Sequence, residues 1–399
     1  MESDVNIKEG YKKTAVGVIP EEWEVKRLKE IGNFYRGKGI PKSDVIENGL
    51  KAIRYGEIYT IHHYYIKEFQ SFISKNTAET SFLIKKNDVL FTSSGETLED
   101  IGKSVAYLGD EEAYAGGDTI ILRPLKNKFD SKFLGFATNS DAFRVQTYRM
   151  GQGHSVVHIY PSNLKKSKLP IPPLPEQKAI ANCLTTWDSG IEKLSALIKA
   201  KKEQKKGLMQ QLLTGEKRLD GFEGEWKEVK FKDVFKRVNS KKHQITSKEY
   251  FEEGDYPVVD QGKTKIVGYS NQKDRLYTEV PVIVFGDHTR EIKFVDFNFI
   301  IGADGTQLLN TKNSDNIKYL YYLLSNTHIV NLGYSRHMRV LITKNFIIPP
   351  IKEQTAIAEV LTTADKEITL LEKKLERFKE QKRGLMQVLL TGERRLIEN

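Results

Sequence analysis

The amino-acid sequence predicts an α+β protein in which two globular segments alternate with two long helices. The helices are predicted to pair as an antiparallel coiled coil, with an internal pseudo-two-fold symmetry relating the halves. Three observations predict this fold class: one stretch is spelled twice, its apolar residues have coiled-coil spacing, and an unlike strand-rich segment precedes each copy. A chain of 399 residues is long enough for two or three domains with their own cores.

The duplicated stretch joins two parts of the chain that lie 177 residues apart. Residues 176–219 match residues 353–396 without a gap, and 26 of the 44 positions are identical. The copies begin with EQKAIANCLTT and EQTAIAEVLTT, and they end with LLTGEKRL and LLTGERRL. A period this long excludes a solenoid, whose units have about 20–50 residues. The stretch is therefore a duplicated module.

Each copy predicts one long helix. Prolines precede both helices, and Gly215 and Gly392 follow them, where glycine can adopt the left-handed conformation of a helix C-terminus. A helix over residues 176–213 would be about 57 Å long. The apolar positions alternate four and three apart, as in a coiled-coil seam: Ile180, Leu184, Trp187, Ile191, Leu194 and Ile198, then Ile357, Leu361, Ala364, Ile368, Leu371, Leu375 and Phe378. Two unrelated surface helices are the alternative, but they would not explain why the seams match.

Lysines interrupt the seam at Lys201, Lys205 and Lys382. A polar seam residue can fix the register of a coiled coil at some cost in stability. The alternative is that the helices splay apart there towards a partner. Further lysines on the first helix suit a DNA groove, a solvated face or a docking surface equally well.

The globular segments mix short strand-like runs with turns and a helix each. The first contains DVLFTSS, DTIILRP and a predicted helix over SKFLGFATNSDAFRVQTYRM; the second contains YPVVD, VPVIVFGD, NFIIGAD and a predicted helix over NIKYLYYLLSNTHIVNLG. Both segments open alike around Trp23 and Trp226 and then diverge. The predicted regions are a first globule at 1–170, a helical region at 171–219, a second globule at 220–347 and a second helical region at 348–399.

Composition restricts the class of protein. The net charge of +10 and the pI near 9.2 suit a polyanionic partner such as nucleic acid. No run approaches the roughly 20 apolar residues of a membrane span, and the first residues lack the apolar core of an export signal. The single cysteine, Cys183, excludes a disulfide framework and suits a cytoplasmic location. Its helical apolar neighbours favour a packed side chain over a reactive thiol.

The duplicated segments resemble the specificity subunit of type I restriction–modification systems, and the resemblance covers essentially the whole chain. It is carried by LPIPPLPEQKAIANCLTTWDSGIEKL with KKGLMQQLLTGEKRL, by IIPPIKEQTAIAEVLTTADKEITLL with KRGLMQVLLTGERRL, and by the similar openings at Trp23 and Trp226. The resemblance implies two target recognition domains, each reading one half of a bipartite site in double-stranded DNA, and helices that set the spacer between the halves.

The same resemblance implies partners and their cofactors. Two modification subunits, which bind S-adenosylmethionine and methylate adenine, dock on a specificity subunit, and restriction subunits that use ATP and Mg join them. The repeated KKGLMQ and KRGLMQ faces are the predicted docking surface. Its candidate residues are Lys206, Leu208, Met209, Arg383, Leu385 and Met386. This chain itself is expected to bind no cofactor.

Catalytic motifs are missing from the sequence. The Pro-Pro pairs follow Ile, whereas an adenine methyltransferase has Asn or Asp before its Pro-Pro-aromatic motif. No G-x-x-x-x-G-K-[ST] loop occurs, and the histidines have neither cysteine partners nor an H-E-x-x-H spacing. The chain is therefore predicted to be a non-catalytic subunit without a metal site. A fused methyltransferase or nuclease with degenerate motifs, and a coiled-coil scaffold with no DNA role, are the alternatives.

Three loops in each globule carry the polar side chains that contact DNA bases and phosphates. They are residues 54–63, 92–97 and 148–155 in the first globule, and residues 260–265, 285–293 and 333–339 in the second. For any one residue, a solvated loop is the alternative. The candidate DNA-contacting residues are Arg54, Tyr55, Ser93, Ser94, Thr97, Arg149, Gln152, His154, Lys263, Lys265, His288, Arg290, Arg336, His337 and Arg339.

Overall fold

The computed structural model describes residues 7–153, 156–333 and 335–396. These residues form two compact units: residues 7–193 together with 375–396, and Leu194–Lys374. Each unit combines one globular segment with part of each repeat. The region boundaries given above, at 170, 219 and 347, stay predictions. Among the described helices, none is long and apolar enough to cross a membrane.

Short strands and helices build the globular part of the first unit. Its helices are α1 (Leu28–Ile31), α2 (Tyr55–Thr60), α3 (Lys75–Thr80), α4 (Ser131–Ala137), α5 (Asp141–Tyr148) and α6 (Pro161–Leu164). Its strands are β1 (Tyr11–Thr14), β2 (Gly17–Pro20), β3 (Glu24–Arg27), β4 (Gly32–Arg36), β5 (Val45–Ile46), β6 (Leu50–Ile53), β7 (Tyr64–Tyr65), β8 (Ser71–Ile73), β9 (Phe82–Ile84), β10 (Val89–Thr92), β11 (Ser94–Gly95), β12 (Ser104–Ala106), β13 (Ala113–Ala115), β14 (Thr119–Pro124), β15 (Val157–His158) and β16 (Lys168–Ile171).

Two five-stranded sheets organise these strands. Their orders are β4-β14-β10-β12-β7 and β5-β8-β6-β13-β9. All four residues of β10 are buried, because α4 packs on this part of the first sheet and a second apolar cluster covers the other face. Strands β10 and β14 thereby lie between two apolar clusters.

The predicted continuous helix over residues 131–150 is wrong. It is broken into α4 and α5 by a turn at Thr138–Ser140. The Asn139 side chain donates to the main-chain oxygens of Gly135 at 2.7 Å and Ser104 at 2.8 Å. Asparagine competes in this way with helical hydrogen bonding, so it favours a turn over helix continuation.

The first unit leads into α7 (Leu174–Thr214), a helix of 41 residues. The second globule then repeats the plan of the first with different residues. Its strands are β17 (Lys227–Lys230), β18 (Phe235–Val238), β19 (Tyr256–Val259), β20 (Gly268–Ser270), β21 (Val282–Gly286), β22 (Ile292–Val295), β23 (Ile300–Ile301), β24 (Thr306–Thr311) and β25 (Asn345–Ile348). Its helices are α8 (Phe231–Val234), α9 (Ile317–Ser325) and α10 (Met338–Leu341), followed by α11 (Ile351–Leu390), a helix of 40 residues.

The main sheet of the second unit has the order β18-β24-β21-β22. This arrangement matches β4-β14-β10-β12 of the first unit, and the neighbouring pairs are antiparallel in both. The predicted strands over 280–287 and 256–260 are confirmed as β21 and β19. The helix predicted over 316–333 reaches only Ser325, where α9 ends.

Within each unit the two long helices run antiparallel. In the first unit, Ile180 and Leu184 share a core with Met386 and Leu389, while Trp187 further along α7 meets Phe378 further back along α11. In the second unit, Leu212 and Leu213 share a core with Ile357 and Leu361. The predicted helix ends are also confirmed, since Gly215 and Gly392 have φ of 76° and 75°.

The seam lysines pair with carboxylates on the opposing helix. Lys382 Nζ lies 2.5 Å from Asp188 in the first unit, and Lys205 Nζ lies 2.5 Å from Asp365 in the second. These two pairs are equivalent under the 177-residue repeat. Burial lowers the pKa of Lys382, and its ammonium also lies 4.0 Å from the centre of the Tyr64 ring. The paired lysines support the register role, which was one of the two alternatives.

Replacing Asp188 with asparagine is expected to destabilise the first unit by about 3 kcal/mol, because it leaves a buried ammonium without its counterion. The side chains of Lys382 and Asp188 are only 8% and 16% exposed. Urea denaturation measures the loss. The matched variant Asp365→Asn, whose carboxylate is 37% exposed, should lose less. Adding Lys382→Met to Asp188→Asn should recover stability, and equal midpoints for all the variants would contradict the argument.

A glutamine that is identical in the two repeats attaches each globule to its long helix. Gln177 accepts from Asp130 N at 2.9 Å and donates to Pro172 O, and Gln354 accepts from Asn316 N at 2.9 Å and donates to Pro349 O. Asp130 and Asn316 cap the starts of α4 and α9. The two glutamines therefore make the same connection, one in each unit, between a long helix and the start of a globule helix.

The glutamate before each of these glutamines binds a tryptophan and an arginine. Glu176 accepts from Trp23 Nε1 at 3.0 Å and from the Arg395 guanidinium at 2.6 and 2.9 Å. Glu353 is bound in the same way by Trp226 at 3.2 Å and by Arg218 at 3.0 and 2.6 Å. Arg395, at the end of the second repeat, therefore binds the glutamate that begins the first repeat. Arg218, at the end of the first repeat, binds the glutamate that begins the second.

Candidate nucleic-acid interface

The three predicted loops of the second globule meet in one place. Asp287 follows β21 and donates its main-chain N–H to Gly305 O at 2.8 Å. Its main-chain oxygen accepts from His337 N at 2.8 Å, and its carboxylate accepts from Met338 N at 2.7 Å. Asp287 is 3% exposed, so its charge is used inside the fold. It joins the loop after β21 to the loop before α10.

Gln261 joins the remaining loop to this centre. Its side-chain oxygen accepts from His288 N at 3.1 Å, and its side-chain amide donates to Asp304 O at 2.9 Å. The Thr289 hydroxyl donates to the main-chain oxygen of Gln261. The loops that begin at Asp260, Asp287 and Asp304 thus form one surface at the end of the sheet.

A buried lysine holds the first of these loops closed. Lys293 on β22 donates to Asp260 O at 2.8 Å and to Thr264 O at 2.6 Å, and its ammonium lies 3.8 Å from the Asp260 carboxylate. The residue is 8% exposed, and burial lowers its pKa. This clamp presents Lys263 and Lys265, which lie on the loop and are exposed.

The first globule brings two of its loops together with the same main-chain frame. Ser93 N donates to Asp118 O at 2.8 Å, and Ser93 O accepts from Ile159 N at 2.8 Å. These bonds match the Asp287–Gly305 and His337–Asp287 bonds of the second globule. The short strands β11 and β15 pair beside them, so the loop after β10 lies against the segment that follows Arg149.

A buried arginine braces the loop after β10. Arg144 on α5 is 5% exposed and donates to Glu99 O at 2.7 Å, with its guanidinium 4.9 Å from the Tyr148 ring centre. Burial lowers its pKa. The third loop of this globule lies nearby, because α2, which carries residues 55–60 of that loop, packs against β10 and β12.

The candidate residues fall into three groups by exposure. His154 lies outside the described residues. The exposed group has side chains available to a ligand: Thr97, Arg149, Gln152, Lys263, Lys265, Arg336 and Arg339. The half-buried group is Arg54, Tyr55, Ser93, His288 and Arg290.

Two candidates are buried, and their selection as DNA contacts is corrected. His337 is 0% exposed; its Nδ1 bonds to Asp287 O at 2.9 Å, and its Nε2 accepts from Leu332 N at 3.1 Å. Ser94 is 2% exposed and bonds to His158 Nδ1 at 2.8 Å. Both side chains have their polar atoms used inside the fold, so they position the loops instead. Asp287, Gln261 and Lys293 lie in the predicted loops but were not selected, because a sequence gives no signal that separates a loop clamp from a loop contact.

The predicted docking face is only partly on the surface. Lys206 and Arg383 are exposed, whereas Leu208, Met209 and Leu385 pack against the cores. Met386 is 9% exposed and belongs to the core of the first unit, so its selection as a docking contact is corrected. Arg383 lines a hollow of about 900 Å³ in the first unit, together with His63, Lys67 and Asp141.

Three lysines of α7 are paired with carboxylates of α11. Lys201 and Lys202 lie 2.8 and 2.7 Å from Glu367 and Glu372 in the second unit, and Lys205 pairs with Asp365. Their charges are therefore partly neutralised within the helix pair. Among the described residues, no group of His, Cys, Asp and Glu side chains could hold a metal ion.

Comparison with known families decides the identity of this fold. The sequence profile described as the type I restriction modification DNA specificity domain matches residues 20–203 and 223–380. The chain belongs to this specificity-domain family. It contains two copies of the domain, and the duplicated plan of the two globules is the structural counterpart of the two matches. The resemblance found in the sequence is confirmed.

Relatives and a solved structure agree with this family. A chain of Methanocaldococcus jannaschii, named as the specificity subunit of type I restriction enzyme MjaX, is 27% identical over 97% of this chain and 97% of its own length. The EcoR124I/EcoR124II specificity subunit of Escherichia coli is 32% identical over 38% of this chain and 40% of its own length. The S subunit structure from M. genitalium covers 98% of both chains with a TM-score of 0.61 at 16% identity, so it supports the fold. Specificity subunits have a non-catalytic role, and this is the role that the sequence predicts for this chain.

Proposed function

We propose that the two globules, residues 1–170 and 220–347, are target recognition domains that read the two halves of a bipartite site in double-stranded DNA. One observation carries the proposal: the loops of both globules are joined by the same main-chain bonds, while the exposed side chains on them differ. Ser93 and Asp287 occupy equivalent places in this frame. A common frame with different polar side chains is what reading two different half-sites requires.

The long helices are proposed to set the spacer between the half-sites and to dock two modification subunits. The helices are 41 and 40 residues long, or about 60 Å at 1.5 Å per residue. One turn of DNA is about 34 Å, so helices of this length suit half-sites about one turn apart. Lys206 and Arg383 occupy equivalent exposed positions, as contacts to two equal subunits would.

The proposed complex places the cofactors in the partners. S-adenosylmethionine would be bound by the modification subunits, and ATP and Mg by restriction subunits. The complex would act in the cytoplasm, where the DNA is accessible. Methyl transfer from labelled S-adenosylmethionine by the purified chain alone would contradict this division of roles.

Arg149 and Arg336 are the exposed arginines with which the proposal is tested most directly. Replacing either with alanine is expected to weaken DNA binding by about 1–3 kcal/mol and to relax the sequence preference of one half-site. Adenine methylation is mapped across the genome of a strain that carries the complex with each variant. The matched control is the other variant, since each should affect only its own half of the motif.

Two outcomes of this map would contradict the proposal. A strain lacking the chain should lose one bipartite methylated motif, and an unchanged map would remove the DNA-reading role. An unchanged motif with both arginine variants would remove these two residues from the interface while leaving the role in place. Copurification of the modification subunits with each variant shows that assembly is intact.

A further inference from the structure

Five cationic side chains, here named the basal cation cluster, surround a hollow of about 590 Å³ in the first unit. The hollow lies where the turn between β1 and β2 meets β3, α1 and β16. Its cations are Lys12, Lys13, Arg27, Lys29 and Lys168. No prediction from the sequence selected any of them.

The basal cation cluster has little internal compensation. Glu30 is the carboxylate that lines the hollow, and it accepts a hydrogen bond from Arg27 N at 2.7 Å. No salt bridge found among the described residues includes any of the five cations, but Lys26 and, after it, Lys12 lower the pKa of the Glu24 carboxylate. Lys12 donates to a main-chain oxygen, that of Glu21, at 2.6 Å. Five like charges gathered around one lining carboxylate favour a bound anion.

Two of these cations recur in the second unit. Lys230 and Lys232, at the end of β17 and in α8, occupy the positions of Arg27 and Lys29. The local bonds recur too: Lys230 N donates to Asp233 at 3.2 Å, as Arg27 N does to Glu30. All four cationic residues are exposed. The two globules therefore share these cations even though their loop residues differ.

We propose that the basal cation cluster and its counterpart at Lys230 and Lys232 bind the phosphate backbone of DNA outside the bases read by the loops. This inference rests on the proposed DNA-reading function. Phosphate contacts fix register and carry no sequence information, so the same residues can serve two different half-sites. Base contacts must differ between half-sites, as the loops do.

The chemistry of the cluster favours a nucleic acid over a protein partner. The centres of protein–protein interfaces are depleted in charged residues, and lysine is among the residue types depleted there. Lysine and arginine are the side chains that neutralise DNA phosphates. Four of the five side chains in the cluster are lysines.

The position of the cluster is compatible with one duplex reaching both surfaces. Strand β4 follows α1 directly, and its last residue, Arg36, pairs with Ile120 at the loop end of β14. Five residues of strand span about 16 Å. This is about half of one duplex turn, which measures about 34 Å.

The test uses the full chain and a fluorescein-labelled 30-base-pair duplex of random sequence, with affinity measured against salt concentration. The variant Lys13→Ala/Arg27→Ala/Lys29→Ala should reduce the slope of log affinity against log salt by between one and three. Each lost phosphate contact reduces this slope by about 0.9. Lys230→Ala/Lys232→Ala should reduce it by one to two. The matched control, Lys42→Ala/Lys75→Ala/Lys85→Ala, removes three exposed charges elsewhere in the first globule and should leave the slope unchanged.

Each outcome assigns the failure to a different claim. Salt-insensitive binding by the unaltered chain would overturn the proposed DNA-reading function and this inference with it. A steep slope that is the same in the unaltered chain and in both cluster variants would overturn this inference alone. Loss of modification-subunit copurification with an unchanged slope would also overturn it, in favour of a protein partner. Circular dichroism melting confirms that each variant is folded.

Discussion

Replacing Glu176 with alanine is expected to lower the free energy of unfolding of the first unit by about 3 kcal/mol, the lower end of the cost of breaking a buried ion pair. Glu176 is 2% exposed and accepts from both Trp23 and Arg395. Its loss leaves the Arg395 guanidinium, which is 19% exposed, and the buried indole N–H without this acceptor. Urea denaturation followed by tryptophan fluorescence measures the change.

Hydrogen–deuterium exchange localises the effect of Glu176→Ala. Amides of β3 and α4 should exchange faster, while amides of β21 and β24 in the second unit should not change. Glu203→Ala, an exposed glutamate on the same helix, is the control and should behave like the unaltered chain. Glu353→Ala should destabilise the second unit by a smaller amount, because Arg218 is more exposed than Arg395. Identical urea denaturation of Glu176→Ala and Glu203→Ala would refute the stabilising role of the bonds from Trp23 and Arg395 to Glu176.

Replacing Lys293 with methionine is expected to abolish or relax recognition of the half-site read by the second globule. The substitution keeps the length of the side chain and removes the donor to Asp260 O and Thr264 O. A hydrogen bond to a charged group contributes about 1.5–3 kcal/mol, so the loop would lose its closed conformation. Affinity for the intact site should fall at least about tenfold, since about 1.4 kcal/mol corresponds to a factor of ten.

The methylation map of a strain carrying Lys293→Met distinguishes a local effect from a global one. Sequence preference should change in one half of the motif only, because Lys293 contacts one loop of one globule. Lys273→Met, an exposed lysine outside these loops, should leave the map unchanged. The salt slope should stay close to that of the unaltered chain, since Lys293 is buried and contacts no phosphate. An unchanged motif in Lys293→Met would exclude the clamp role.

The duplicated architecture was predictable because it is carried by local patterns. The 3.5-residue spacing, the prolines before each helix and the terminal glycines all act within a few residues of one another. The helix over residues 131–150 was predicted wrongly because the Asn139 side chain bonds to Gly135 within the segment and also to Ser104, which is distant in the chain. Tertiary contacts of that kind leave no periodic pattern in the sequence.

The proximity of the candidate loops could be expected from the sequence, whereas the exposure of the individual candidate residues could not. Histidine and serine are suitable DNA contacts in any exposed loop, yet His337 and Ser94 are buried by partners far away in the chain. The duplicated EQ pairs were recognised as a repeat, but their bonds to Trp23 and Trp226 and to the ends of the repeats appear only in three dimensions. The duplication indicates that the same residues have a role in both units, but it does not show which residues they contact.

Glu176 begins the first repeat and Arg395 ends the second, so their pairing also sets the order in which the two units can be completed during biosynthesis. The second unit is one continuous stretch, Leu194–Lys374, whereas the first unit needs residues 375–396. Domains generally fold as they leave the ribosome, starting from the N-terminus. Here the ribosome must translate the whole second unit before the first can be closed. The nascent first globule therefore waits with the Glu176 carboxylate unpaired by arginine, and the unit that is made first is completed last.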